Sequence, residues 1–361
     1  MIYLDYAATT PVDGEVLDAM MPYLKDDFGN PDSTHAAGRS AARAVSEARA
    51  KVAEALGVNP LEVYFTSGGT EADNWAVRCL GTGRAAVSAV EHAAVLEGAK
   101  LREEGFDLIP VSAGGLITPE AVCSALKPDT GLVCVMAANN ETGTVEPLKE
   151  ISEICKERGI VLFSDCVQAS LLDLRELTGL CGAVALSGHK IYAPKGTGAL
   201  VVKKGVKLRP LIAGGEQERA LRGGTLNVAG IVGFAVALER AQRERQRYAA
   251  HCKTLRDLFE DKVKAAFGDR VRMDGENRLP NISHLTFVSA PDALLAKLDL
   301  AGLCVSGGAA CSSHSALPSH VMLAMGRSEK EAKHGVRFSF GKETTEEEIL
   351  QAVKILTECI K

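Results

Sequence analysis

Lys190 closes the run Ala183-Val184-Ala185-Leu186-Ser187-Gly188-His189-Lys190. The apolar part reads as a buried strand, so the amine stands just past a strand's C-terminal end. An amine there is costly unless it is paired, exposed or used. Crowded or desolvated, it loses proton affinity and can act as a base or form a Schiff base. Taken alone, Lys190 is better explained as a surface lysine in a β-turn loop. A second apolar strand ends in Phe163-Ser164-Asp165-Cys166-Val167-Gln168 and adds a carboxylate. Strand C-termini in a parallel α/β sheet share one edge, so Asp165 and Lys190 can meet in one crevice. The plainer alternatives are an ion pair or a helix N-cap at Asp165.

Thr66-Ser67-Gly68-Gly69-Thr70-Glu71 follows a third strand and opens a helix. Glycines admit close backbone approach, and N-terminal amides bind anions. The G-K-[ST] of a triphosphate loop is missing, which disfavours nucleoside triphosphates. Glu91-His92 follows a fourth strand and puts an imidazole on the same edge, where it can stack on a planar ring. A lysine for an aldehyde, a carboxylate for a pyridine nitrogen and a phosphate cradle together suit pyridoxal phosphate (PLP).

These groups need a scaffold. Strands are expected at 63–65, 85–90, 132–137, 160–164, 183–187 and 199–202, with helices at 35–57, 70–80, 93–104, 118–126 and 147–158. That alternation implies an α/β fold with a mostly parallel sheet covered on both faces. A long helical pattern runs from Asn227 to about Phe267 and turns heavily charged at 239–247. Acids interleave with the arginines there, so the run reads as a solvated helix face. The last third reads as a smaller α+β unit: strand 281–287, helix 291–301, a Gly/Ser-rich loop at 306–316, strand 335–340 and helix 344–359.

The 361 residues, 46% hydrophobic and 24% charged, are ordinary for a globular chain of about two domains. Forty-one basic against 46 acidic side chains give a net charge of −5, which argues against a partner bound mainly through nucleic-acid phosphates. The longest apolar run, Val228 to Leu238, falls far short of the ~20 residues of a membrane span. The N-terminus has no basic region and no signal-type apolar stretch, so a cytoplasmic location is expected. Ten cysteines without a C-x-x-C pair read as reduced core thiols. Cys311 is the exception, because Gly307-Gly308-Ala309-Ala310-Cys311-Ser312-Ser313-His314 offers it little to pack against. An exposed, reactive thiol is expected there. Cys304, Cys311, His314 and His320 match no common zinc spacing, and no metal site is expected.

Seven motifs appear in family order: Tyr3-Leu4-Asp5-Tyr6-Ala7-Ala8-Thr9-Thr10-Pro11, Gly29-Asn30-Pro31, Thr66 to Glu71, Asn139-Asn140-Glu141-Thr142-Gly143, Ser187 to Lys190, Arg222-Gly223-Gly224-Thr225 and Val336-Arg337-Phe338-Ser339. In these the chain resembles, nearly end to end, the cysteine desulfurases of NifS/IscS type, in the class V branch of the PLP-dependent aminotransferases. The resemblance implies the aspartate-aminotransferase-like fold type I, with a large sheet of the seven-stranded type. It divides the chain into a PLP-binding α/β domain, 13–247, and a small α+β domain, 1–12 with 248–361, that carries the catalytic cysteine loop.

It also implies roles. Lys190 would hold the PLP aldehyde, Asp165 the pyridinium nitrogen and Gln168 the ring oxygen, while His92 would stack on the ring. Gly69, Thr70, Ser187 and His189 would hold the phosphate. Thr225 would reach the phosphate of a second subunit, which implies a homodimer. Asn140 and Arg337 would grip the substrate carboxylate, a task that suits a planar guanidinium. Freed Lys190 would take the Cα proton of L-cysteine. The Cys311 thiolate would take the sulfur as a persulfide, leaving alanine, with His92 or His314 as candidate activators. An acceptor protein, serving iron–sulfur cluster assembly or the thiolation of tRNA or a cofactor, would then receive the sulfur.

The competing readings are a selenocysteine lyase or another class V aminotransferase, and more remotely a metal-binding or non-catalytic interaction protein. Five departures bear on partner and acceptor, one of them Ser170-Leu171-Leu172 where a small-Gly-Lys stretch is common. Ser306-Gly307-Gly308-Ala309-Ala310-Cys311 stands for the usual Ser-Ser-Gly-Ser-Ala-Cys, Gly223 for a usual Ser, and Cys166 for Ala or Gly. The chain also ends soon after Cys359, so a tail that docks scaffold proteins is not expected.

Overall fold

The computed structural model describes residues 1–291, 293–308 and 318–360. Its centre is a seven-stranded sheet. Across the sheet the strands run Val63–Thr66, Gly198–Val202, Ala183–Ser187, Val161–Asp165, Thr130–Cys134, Arg84–Ser88 and Phe106–Ile109. All neighbours pair in parallel except Gly198–Val202, which is antiparallel to both strands beside it. The central strands are apolar on both faces because both faces are covered. Val133, Leu162, Val184 and Leu186 point into one core, shared with the helices Ala36–Leu56 and Leu148–Glu157. Leu132, Cys134, Phe163 and Ala185 point into the opposite core, under the helices Gly69–Cys79 and Ala93–Lys100. Each fully buried Leu, Val or Phe side chain contributes about 1.5–3 kcal/mol to holding these layers.

A second, antiparallel sheet orders Gly335–Ser339, Ile282–Phe287 and Val271–Asp274. It packs on the helix Glu346–Ile360 and on the far half of the helix Val228–Phe267. The chain's start belongs here too. Ile2–Tyr3 pairs in parallel with Leu303–Cys304, and Leu4 is fully buried in this core. Residues 5–10 then cross to the large sheet, where Thr10 N donates to His189 O at 2.9 Å.

The expected long elements form close to their expected limits, but several short ones were not foreseen. The helices Gly14–Lys25 and Leu174–Leu180 and the strands Phe106–Ile109 and Val271–Asp274 are short or half-exposed. They present no continuous apolar run, and tertiary packing defines them. The expected solvated face at 239–247 is also revised. Arg243 and Arg247 face solvent, whereas Arg240 binds Asp13 at 2.7 Å and Arg245 binds Asp173 at 2.8 Å.

Candidate active site

A cavity of about 420 Å³ opens at the C-terminal edge of the large sheet. Its walls bring together Gly69, Thr70, His92, Asn140, Asp165, Gln168, Ser187, His189, Lys190 and Arg337. Thr225 does not line it and is exposed. Cys311 and His314 lie outside the described residues. A second cavity, of about 320 Å³, shares Lys190 but is otherwise walled by Tyr192, Arg240, Tyr248 and their neighbours, without the acid or the glycine turn.

Lys190 follows the strand Ala183–Ser187 in a short 3₁₀ turn. Its Nζ donates to the carbonyls of Ala7 and Ala8, the latter at 2.9 Å. The N-terminal crossing thus fixes where the amine points. His189, one residue earlier, faces Thr9 Oγ1 across 3.2 Å. Burial, with Lys190 and Lys195 nearby, pulls its pKa down to about 4, so the imidazole is neutral at pH 7.

Asp165 ends the neighbouring strand and is 4% exposed. Its Oδ1 accepts from Val167 N at 2.8 Å. Burial raises its pKa, and the His92 and Lys190 charges oppose that rise. Two more acids lie near it, of which Asp73 also lines the cavity. Asp73 and Glu91 are both pushed well above the usual carboxylate range, first by burial and then by the Asp165 charge. Asp165, whose rise the His92 and Lys190 charges oppose, lines the cavity at the end of its strand and is the acid placed to meet a cation there. Cys166 points the other way, into the helix-covered core, and burial raises its thiol well above the usual range.

The anion end is also built. Gly68 caps the helix Gly69–Cys79 at φ 151° and supplies no side-chain hydrogen bond, so the first amides of this helix remain for an anion. A Cβ on Gly69 would come within 2.8 Å of Val167 Cγ2 and 3.4 Å of Ser187 Cβ. Only glycine therefore leaves the approach to Ser187 clear. Ser187 Oγ and Gln168 Oε1 are buried and, among the described residues, lack a hydrogen-bond partner. Buried polar atoms without partners are few in native proteins and ask for an explanation. A phosphate beside Ser187 and a ring oxygen beside Gln168 would supply one. The residues present fit PLP.

His92 serves two purposes. Its Nδ1 accepts from Ala94 N at 3.1 Å, capping the helix Ala93–Lys100, while the residue also lines the cavity. Arg337 is 1% exposed. Its Nη1 donates to Asn140 O at 2.7 Å and its Nη2 to Asp5 Oδ1 at 2.8 Å. The guanidinium thereby ties the second sheet to the cavity rim.

The sequence reading gave no role to Asp73, Glu91, Asp5 or the carbonyls of Ala7 and Ala8. Asp73 had a signal, since its i,i+4 spacing from Gly69 puts both on one helix face. The carbonyls had none, because no side chain is involved.

A family model described as aminotransferase class-V matches residues 2–352. Cysteine desulfurase IscS of Dictyoglomus turgidum is 42% identical, over 100% of this chain and 94% of its own length. Cysteine desulfurase IscS of Methanosarcina thermophila is 40% identical, over 100% and 92%. Among solved structures, a NifS-like protein aligns with TM-score 0.89 at 34% identity, covering 99% of this chain and 98% of the other. The NifS-like protein from Rickettsia africae aligns with TM-score 0.92 at 31% identity, covering 99% of each.

Proposed function

The chain belongs to the aminotransferase class-V family, as a PLP-dependent cysteine desulfurase, and we propose how its own residues divide that reaction. One observation carries the assignment: Lys190, Asp165 and a Ser187 Oγ without a partner among the described residues share one cavity with a helix N-terminus.

Gly69, Thr70, Ser187 and His189 would hold the PLP phosphate, Gln168 the ring oxygen and Asp165 the pyridinium nitrogen, and His92 would stack on the ring. When bound, PLP takes up electron density from the substrate Cα and so weakens the Cβ–S bond. Arg337 and Asn140 orient the carboxylate of L-cysteine. Arg337 is already desolvated and held at two of its nitrogens, which limits the freedom lost on binding. Lys190 carries the Cα proton. The Cys311 thiolate attacks the substrate sulfur. The new S–S bond makes a persulfide, the Cβ–S bond breaks with its electron pair on carbon, and protonation yields alanine. Residues 13–247 supply the cofactor site and Asn140, and 1–12 with 248–361 supply Arg337 and Cys311. Exposed Thr225 serves the phosphate of a second subunit in a homodimer, and the persulfide passes to an acceptor protein in the cytoplasm, as in iron–sulfur cluster assembly.

Purified holoenzyme given L-cysteine is expected to form alanine and a persulfide that maps to Cys311. Cys311→Ala is expected to keep the cofactor's visible absorption and lose sulfur release. Undiminished release from that variant would overturn the role of Cys311 and favour a thiol-independent lyase or aminotransferase.

A further inference from the structure

We infer that Glu141 is a positioning residue of the sulfur-transfer step, a side chain that fixes both flanks of the segment bearing Cys311. The inference rests on the reading of Cys311 given above.

Glu141 is 1% exposed and follows Asn140, whose carbonyl binds Arg337. Its backbone is itself held. Glu141 N donates to Asn139 Oδ1 at 2.9 Å, and Asn139 Nδ2 donates to Val90 O at 3.0 Å. The carboxyl group therefore projects from a turn anchored to the large sheet.

One flank meets it at Gly308. A Cβ there would lie 2.8 Å from Glu141 Oε2, so the carboxyl packs directly on the Gly308 backbone. The φ of 132° also calls for glycine. This flank is tied to the substrate side as well. Arg337 N donates to Ser306 O at 2.7 Å, and Ser306 Oγ donates to Gly308 O at 2.8 Å. The other flank meets it at Ser319, whose Oγ donates to the same Oε2 at 2.5 Å. The next residue, His320, sets its Nε2 2.9 Å from Glu91 O, beside His92.

A single carboxyl oxygen thus meets the chain on both sides of residues 309–318, one residue from the expected carboxylate grip. Glu141 determines where that segment starts and ends relative to Asn140 and Arg337. Attack on sulfur needs the reacting atoms at about 3–3.5 Å, and a misplacement of about 1 Å can cost roughly 100-fold. Proton transfer at Cα is Lys190's task and depends on the large sheet instead. Losing Glu141 should therefore separate the two steps.

The test compares holoenzymes carrying Glu141→Ala, Glu141→Gln and Ser319→Ala with wild type. Cα deuterium exchange of L-alanine, which needs no enzyme thiol, reads the first step. Single-turnover persulfide formation at Cys311, followed by mass spectrometry, reads the second. Glu141→Ala is expected to slow persulfide formation about tenfold or more while exchange stays within about twofold. Glu141→Gln, which keeps an acceptor for Ser319, should recover most of the loss, and Ser319→Ala should fall between. Persulfide formation within twofold of wild type in Glu141→Ala overturns the inference, as does an equal loss in both steps. If Glu141→Ala does not fold, Ser319→Ala decides by the same criteria. Sulfur release that survives Cys311→Ala overturns the Cys311 reading and this inference with it. Release lost in Cys311→Ala but normal in Glu141→Ala overturns this inference alone.

Discussion

The two sheets bury their acids in opposite ways. At the edge of the large sheet, Asp73, Glu91 and Asp165 crowd together, and burial raises all three pKa values. Glu146, in the same region, is pushed up to about 8. In the small sheet Asp274 is equally enclosed, yet its pKa falls to about 2. The difference lies in the partners. Asp274 accepts from Thr286 Oγ1 at 2.6 Å and Arg272 Nε at 2.9 Å, and His284 Nδ1 lies 3.0 Å away. Among the described residues, Glu91, Asp165 and Glu146 each accept from one backbone amide, of Met136, Val167 and Ile117, and from no charged donor. A buried acid with its partners in place is structural. A buried acid facing a cavity asks for a cation from outside, and a protonated pyridine ring is one.

The largest expected effect comes from Asp165→Asn. It removes the charge that keeps the cofactor nitrogen protonated and should lower the rate of alanine formation on the order of 10³-fold. Circular dichroism and thermal stability should change little, or even improve, because the cost of burying a carboxylate is gone while an amide oxygen can still accept from Val167 N. A large loss of stability would show that Asp165 is scaffold, and the contrast would fail.

Asp274→Asn should do the reverse. Losing charge-assisted hydrogen bonds costs about 2 kcal/mol of stability at pH 7, with cofactor absorption retained. Because the folded pKa of Asp274 is depressed, its stabilisation is present above the ordinary aspartate range. It is lost as pH falls toward about 2. Denaturant midpoints across acidic pH would measure it.

Glu146→Gln probes the other sign, and its effect is smallest at acidic pH, where Glu146 already holds its proton. Glu146 Oε2 accepts from Ile117 N at 2.8 Å, and its Oε1 has no partner among the described residues. The raised folded pKa means that the folded state holds a proton which the unfolded chain releases. Stability is therefore full below the unfolded glutamate pKa, ~4.3, and declines as pH rises toward about 8. One such proton is worth about 1.4 kcal/mol per pH unit between those limits. Thermal melts at pH 5 and pH 8 should show the variant with a flatter slope than wild type. An unchanged slope would place the pH-sensitive acids elsewhere.

The large sheet was the more readable half. Ser187 to Lys190, Phe163 to Asp165 and Thr66 to Glu71 each end an apolar strand, and the shared edge of a parallel sheet turns three local patterns into one site. The second half of the site resisted because its contacts are long-range. Arg337 meets Asp5 332 positions away in sequence, and Ser319 meets Glu141 178 positions away. No periodicity announces such pairs. The backbone carbonyls that receive Lys190 are invisible in sequence for a simpler reason: every residue has one. The cysteines divide in the same way. Cys134, Cys155, Cys166, Cys181 and Cys252 are buried with raised pKa values, as apolar surroundings predict.

The helix Val228–Phe267 has a mechanical consequence. Forty residues make a rod of about 60 Å, rooted in one core through Phe234 and in the other through Phe259. Over that span a pivot of about one degree swings the far tip by about 1 Å. Displacements of that size are large on the scale of bond-making, so the rod must not rock. The braces at its waist, from Arg240 to Asp13 and from Arg245 to Asp173, stand where a fulcrum would be.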